Sequence, residues 1–317
     1  MKQGVIYGSL AGASWGLVFL SPALLPDFSP LLLSCGRFLM YGVIALLVGL
    51  PVARGLLHKL TMADLLTLTR LSLSGNIVYF MLLAAAVQRV GIAPTSLIIG
   101  VLPLTITLLG RNEADAPPLS RLLWPLSMVL AGIVCINLEA LLGEGSQSKS
   151  HGDRVLGMVY AMLALACWSW FATDNARCLK RQKHFNSNEW SLLTGVVTGV
   201  LAGCMWLAAH MIGHPAARVE LPAAHWQAFW LVNLALAVLA SWMGYTFWNA
   251  STRRLPLTLS GQMVVFETLF ALVYGFVYLQ RLPTALEGIS IALLLGGVCA
   301  AVARHSQPTL AAPANLS

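Results

Sequence analysis

Residues 256–279 read PLTLSGQMVVFETLFALVYGFVYL. The run opens on a proline and carries one charged side chain, Glu267, as the twelfth of its 24 residues. A bilayer core takes about 20 apolar residues per helical crossing, so the run reads as a membrane span with an acid at its centre. Nine more apolar runs bounded by polar or Pro/Gly clusters lie near 4–24, 31–50, 65–87, 92–109, 122–138, 156–178, 189–210, 226–249 and 285–303. The full chain of 317 residues is 58% hydrophobic and 10% charged, against about 25% charged in a soluble globular chain. Such a chain cannot build a water-solvated surface. That excludes a soluble enzyme, a disordered chain and a disulfide-stapled secreted domain, and ten crossings leave no length for an extramembrane catalytic domain.

The charges that remain set the orientation. With the N-terminus inside, twelve Lys and Arg fall on cytoplasmic segments, five fall outside, and Arg37 and Arg70 lie within spans. The positive-inside rule then places both termini in the cytoplasm of a bacterial-type inner membrane. The net charge of +7 is read as topological, because no basic patch marks a nucleic-acid partner. Lys2 leads straight into the first span, which is expected to stay as a signal anchor. The six cysteines include no CxxC pair and read as small apolar fillers. No metal site and no cofactor are expected.

An internal repeat follows from paired markers. Ser14-Trp15-Gly16 in the first span and Cys167-Trp168-Ser169 in the sixth each place a Trp near mid-span. Tyr79 is followed five residues later by Ala84, and Tyr245 by Ala250. The fourth and ninth spans open near Pro94 and Pro256 and carry Leu102-Pro103 and Glu267-Thr268 at mid-membrane. A unit of five spans has an odd count, so its second copy enters the membrane inverted, as in transporters that alternate access around a midplane site. The divisions are a first five-helix repeat over 1–140, an outside connection over 141–154, a second repeat over 155–304 and a disordered tail over 305–317.

This layout, with the mid-span Trp pair, Arg37-Phe38 in the second span and the acid in the ninth, resembles the drug/metabolite transporter superfamily, specifically its ten-helix EamA-type exporters. Tyr160 to Arg177, Leu192-Leu193-Thr194-Gly195 and Tyr245-x-x-Trp248-Asn249 resemble the aromatic amino acid exporters of that group. Where the family often has Glu-Pro, Glu267 is followed here by Thr268. The resemblance implies an all-α integral membrane fold, with two inverted five-helix repeats around a cavity lined by spans 1, 3, 4, 6, 8 and 9. Spans 5 and 10 would be peripheral.

An ionised carboxylate at mid-bilayer must be paired, protonated or wet, so Glu267 is a candidate for proton coupling or for binding a cargo amine, with a structural hydrogen bond as the alternative. Arg37 lies about seven residues into its span. It is expected to snorkel outward and pair with Glu287, or else to meet a cargo carboxylate. Arg70, Asp174 and Glu189 are expected to form a polar cluster at one membrane face. Asn76, Tyr79, Ser241, Tyr245, Asn249 and Gln262 recur at helical spacing on otherwise apolar spans. Polar groups cannot be left facing lipid, so with Trp15 and Trp168 they are the candidate substrate-binding set, with hydrogen bonding and packing between helices as the alternative for each residue. Gly4, Gly8, Gly12 and Gly16, and likewise Gly195, Gly199 and Gly203, read as close helix contacts. Trp124, Trp190, Trp206 and Trp226 read as interfacial anchors.

No convergent catalytic set occurs within spans, so no catalytic residue and no enzyme are expected. The expectation is an exporter of small metabolites, most of all apolar or aromatic amino acids, acting as a monomer or homodimer in the lipid bilayer. A drug, cation or sugar transporter of the same fold is the alternative, with an intramembrane enzyme or a non-transporting receptor more remote. Facilitated diffusion and proton antiport both remain open, since the chain has no nucleotide-hydrolysis motif.

Overall fold

Apolar segments removed from water must satisfy their backbone groups internally, and helices do so without partners. The computed structural model describes residues 1–110, 118–142, 151–217 and 220–305, and among these no strand occurs. The helices are α1 (Lys2–Leu24), α2 (Pro30–Lys59), α3 (Met62–Val90), α4 (Ile92–Ile99), α5 (Leu102–Leu109), α6 (Leu119–Leu142), α7 (His151–Arg181), α8 (Ser187–Met211), α9 (Ala223–Thr252), α10 (Leu257–Tyr278) and α11 (Ala285–His305). Seven of them, α1, α2, α3, α7, α8, α9 and α10, are long and apolar enough to cross a membrane by length and composition. The segment expected as one fourth span is instead two short helices, α4 and α5, parted at Gly100 and Val101. The connection expected at 141–154 and the tail expected at 305–317 fall largely outside the described residues.

Local chemistry fixes where several helices begin. Ser29 accepts a bond from the Leu32 amide ahead of Pro30, which needs no amide partner in a first turn. Thr61 with Asp64, and Asn186 with Glu189, close reciprocal caps at the starts of α3 and α8. Inside α3 and α9 the regular ladder widens into π-helical turns over Ser72–Val78 and Ala237–Met243. Such wide turns concentrate at functional sites.

Packing pairs α2 with α8, α6 with α11, α5 with α10, α3 with α7, and α1 with both α9 and α10. Small residues permit the closest of these approaches. A Cβ on Gly199 would lie 2.6 Å from the Gly42 Cα, and one on Gly12 would lie 2.8 Å from the Glu267 amide nitrogen. The first-span glycine run is thus the seam along which α1 lies on α10.

Candidate central site

The first element at the centre is aromatic. Trp15 of α1 meets Trp168 of α7 and Tyr245 of α9 edge to face, with ring centroids 5.3 and 5.5 Å apart, and Trp248 of α9 in a tilted arrangement at 5.4 Å. Trp168 and Trp248 close the group at 5.4 Å. Edge-to-face contacts of this kind stabilise beyond the area they bury. The Trp15 indole Nε1 donates to the Ala240 carbonyl at 2.9 Å, within the π-helical turn of α9. Trp15, Arg37, Tyr79, Trp168, Tyr245 and Glu267 all line one cavity of about 10 Å³, roughly the room a single water needs.

Two charges stand on this wall. Arg37 of α2 is 3% exposed. Its Nε donates to Ser241 Oγ at 3.1 Å, and its guanidinium carbon lies 4.6 Å from the Phe80 ring centre and 5.0 Å from that of Phe38. Cation–π contacts gain strength when desolvated. Glu267 of α10 is 2% exposed, and its Oε2 has no hydrogen-bond partner. The buried Tyr79 hydroxyl faces this carboxyl group across the same cavity. Arg37 and Glu267 line the same cavity; the ion pairs found among the described residues join other groups.

The pairing of Arg37 with Glu287 does not form. Glu287 instead takes two bonds from Arg281, at 2.6 and 2.7 Å, and accepts from the Thr284 amide. Nor does Arg37 snorkel outward: it turns inward onto the cavity. At the face where three groups were expected together, Arg70 binds Asp174 at 2.6 Å, while Glu189 pairs with Lys59 at 3.2 Å.

The remaining candidate residues stand behind the cavity or away from it. Asn76 accepts from the Tyr245 hydroxyl and donates to Thr198 Oγ1 at 2.8 Å, so it positions the tyrosine. Ser241 does the same for Arg37. Asn249 accepts from Asn175 Nδ2 at 3.0 Å, and Asn175 in turn accepts from Trp190 Nε1 at 3.0 Å. Trp190 is therefore fully buried and no interfacial anchor. Gln262 donates to Thr107 at 2.9 Å and ties α10 to α5 outside the cavity. Thr198 and Thr107 escaped the sequence reading because a lone threonine in an apolar helix carries no signal of its partner. Trp248 stood in the quoted motif, but only the fold shows it against Trp15.

A guanidinium offers a planar fork to a carboxylate, a buried carboxylate attracts an ammonium group, and indole walls accept an apolar or aromatic body. Among the described residues, no group of three His, Cys, Asp or Glu could hold a metal ion.

No family model matches the chain. It is 34% identical over 319 aligned positions to the inner membrane protein YtfF of Escherichia coli (strain K12), with 95% of each chain covered. Its fold is similar to that of a protein solved as a crystal structure, with a TM-score of 0.67, 19% identity, and 96% and 97% of the two chains covered.

Proposed function

The chain belongs to the family of the Escherichia coli inner membrane protein YtfF and is a multi-pass inner membrane protein; from that premise we propose that it is a transporter of the EamA type. It exports small zwitterionic metabolites, apolar or aromatic amino acids foremost, by alternating access at the central cavity. Two buried charges of opposite sign on one aromatic-walled cavity carry this reading. Arg37 receives the cargo carboxylate, Glu267 receives the amine or a proton exchanged for it, and Trp15, Trp168 and Tyr245 enclose the side chain. No residue is given a catalytic role.

Ten crossings in two inverted halves, 1–140 and 155–304, complete the proposal, with both termini in the cytoplasm. Exchanging the halves turns the α3–α7 pair into the α9–α1 pair, and maps the α2–α8, α6–α11 and α5–α10 pairs onto themselves. The two π-helical stretches, each seven residues long, fall at matching places in that scheme. Both features support a repeat.

A counterflow screen in proteoliposomes against amino acids, sugars and lipophilic cations tests the assignment. Exchange of apolar and aromatic amino acids is expected. Exchange confined to sugars or to cations without a carboxylate would overturn the Arg37 role and favour the alternative cargo.

A further inference from the structure

The connections that lead into α2 and α8 are built alike. Each ends on a phenylalanine just ahead of the helix cap, Phe28 before Ser29 and Phe185 before Asn186. Both rings are buried. Each phenylalanine also has its carbonyl held from a different helix. Gln88 Nε2, in the last turn of α3, donates to the Phe28 carbonyl at 2.8 Å. Arg253 Nη2, just past α9, donates to the Phe185 carbonyl at 2.8 Å. Gln88 lies ten residues past Val78 and Arg253 ten past Met243, the ends of the two π-helical stretches. Gly42 and Gly199, whose backbones touch, stand thirteen residues past Ser29 and Asn186 respectively. One device thus occurs twice, once in each half.

The two copies lie at opposite faces. His184, beside Phe185, is 3.4 Å from Asp64 at the start of α3, and Gln88 is about 36 Å further along that helix at 1.5 Å per residue. Aromatic packing joins each copy to the centre. The Phe28 ring lies 4.5 Å from that of Phe229, and a Cβ on Gly36, next to Arg37, would come within 2.3 Å of the Phe229 ring tip. The Phe185 ring lies 5.9 Å from that of Trp190, whose indole reaches Asn249, beside Trp248, through Asn175.

The copies are held unequally. Arg253 also donates to the Leu179 carbonyl at 3.1 Å, where a cation meets the negative end of the α7 dipole. Hydrogen bonds from a charged donor are about twice as strong as neutral ones. Lys59 with Glu189, at 3.2 Å, and the His184 contact fasten the same connection. Gln88 is neutral, and beside it Ser29 donates to the Ala216 carbonyl at 2.7 Å while His225 stands 3.6 Å from Asp27.

We propose that Phe28 and Phe185 are the plugs of two gates to the central cavity, latched by Gln88 and Arg253, and that from this closed state the Gln88 gate opens first. Resting on the alternating-access reading, these gates give each half of the cycle its own latch.

The test uses the full chain with its six cysteines changed to alanine, in right-side-out and inside-out membrane vesicles. Val18→Cys, in the cavity wall, is labelled with a membrane-impermeant methanethiosulfonate cation. Lys183→Cys, beside the Arg253 gate, and Pro283→Cys, across the membrane beyond α10, are at exposed positions and mark the two faces. With both latches intact, Val18→Cys should label faster from the Pro283 face. Gln88→Ala should speed that labelling about five-fold, the scale of one lost hydrogen bond, and leave the Lys183 face closed; Gln88→Asn, one methylene shorter, should act alike. Arg253→Gln should open the Lys183 face at least as much, and Arg253→Lys, which keeps the charge, should restore part of the closure. Equal labelling from both faces with intact latches overturns the proposal, as does a latch variant that acts on the opposite face. Labelling that no variant changes, with amino acid counterflow retained, removes the gates and leaves the transporter reading standing. Labelling that follows the latches, with no counterflow of any cargo, keeps the gates and removes that reading.

Discussion

Glu267 and Arg37 share one buried cavity, each almost wholly removed from solvent. In the proposed role this carboxyl group, which faces the Tyr79 hydroxyl, takes up a proton or a cargo amine. Glu267→Gln keeps the shape and removes the titration, so the variant should fold normally and transport without pH dependence. An unchanged pH profile of counterflow would remove Glu267 from any coupling role. Arg37→Lys keeps the charge but loses the fork, and KM for carboxylate-bearing cargo should rise about ten-fold, as for the loss of a strong charge-assisted bond. Trp168→Ala should raise KM for aromatic cargo by about ten-fold, the scale of one lost ring contact. Identical kinetics for every cargo would count against the aromatic wall. These residues were legible because an acid or paired tryptophans stand out in an apolar run. The surroundings of Arg37 were not, since counting residues from the span end gives depth but not the direction in which the helix turns the side chain.

At the scale of the element, the tightest constraint is the α1–α10 seam. Any side chain at position 12 runs into the backbone at Glu267. Gly12→Val should therefore destabilise by about 1–3 kcal/mol, the usual cost of overpacking, and lower the unfolding temperature in detergent. No change in that temperature would mean that α1 and α10 do not pack so closely. The positions of the long spans were readable from apolar run length, and the glycine spacing correctly marked close contact. The break between α4 and α5 lay within a run read as continuous, although Gly100 and Pro103 flank it. The π-helical turns left no trace in the sequence, because a shift in hydrogen-bond partner requires no particular residue type.

For the whole molecule, the proposed ten crossings, an even number, would place both ends on one side. Reporter fusions after Arg304 and ahead of Lys2 should both report a cytoplasmic location, and opposite locations would break the five-plus-five scheme. The membrane class was legible from composition alone, since scarce charge cannot cover a surface in water. Which helices touch was not, because that depends on ring and glycine contacts between segments far apart in the chain.

The closed centre has an electrical consequence. At the Trp15–Trp168 cluster a cavity of about 10 Å³ has room for roughly one water, too little for a file of water through this point. A planar bilayer carrying the protein should therefore hold its voltage without unitary current steps. In the proposed transport cycle cargo would cross only as the tryptophan cluster parts and closes again, so flux should saturate with concentration and fall steeply on cooling.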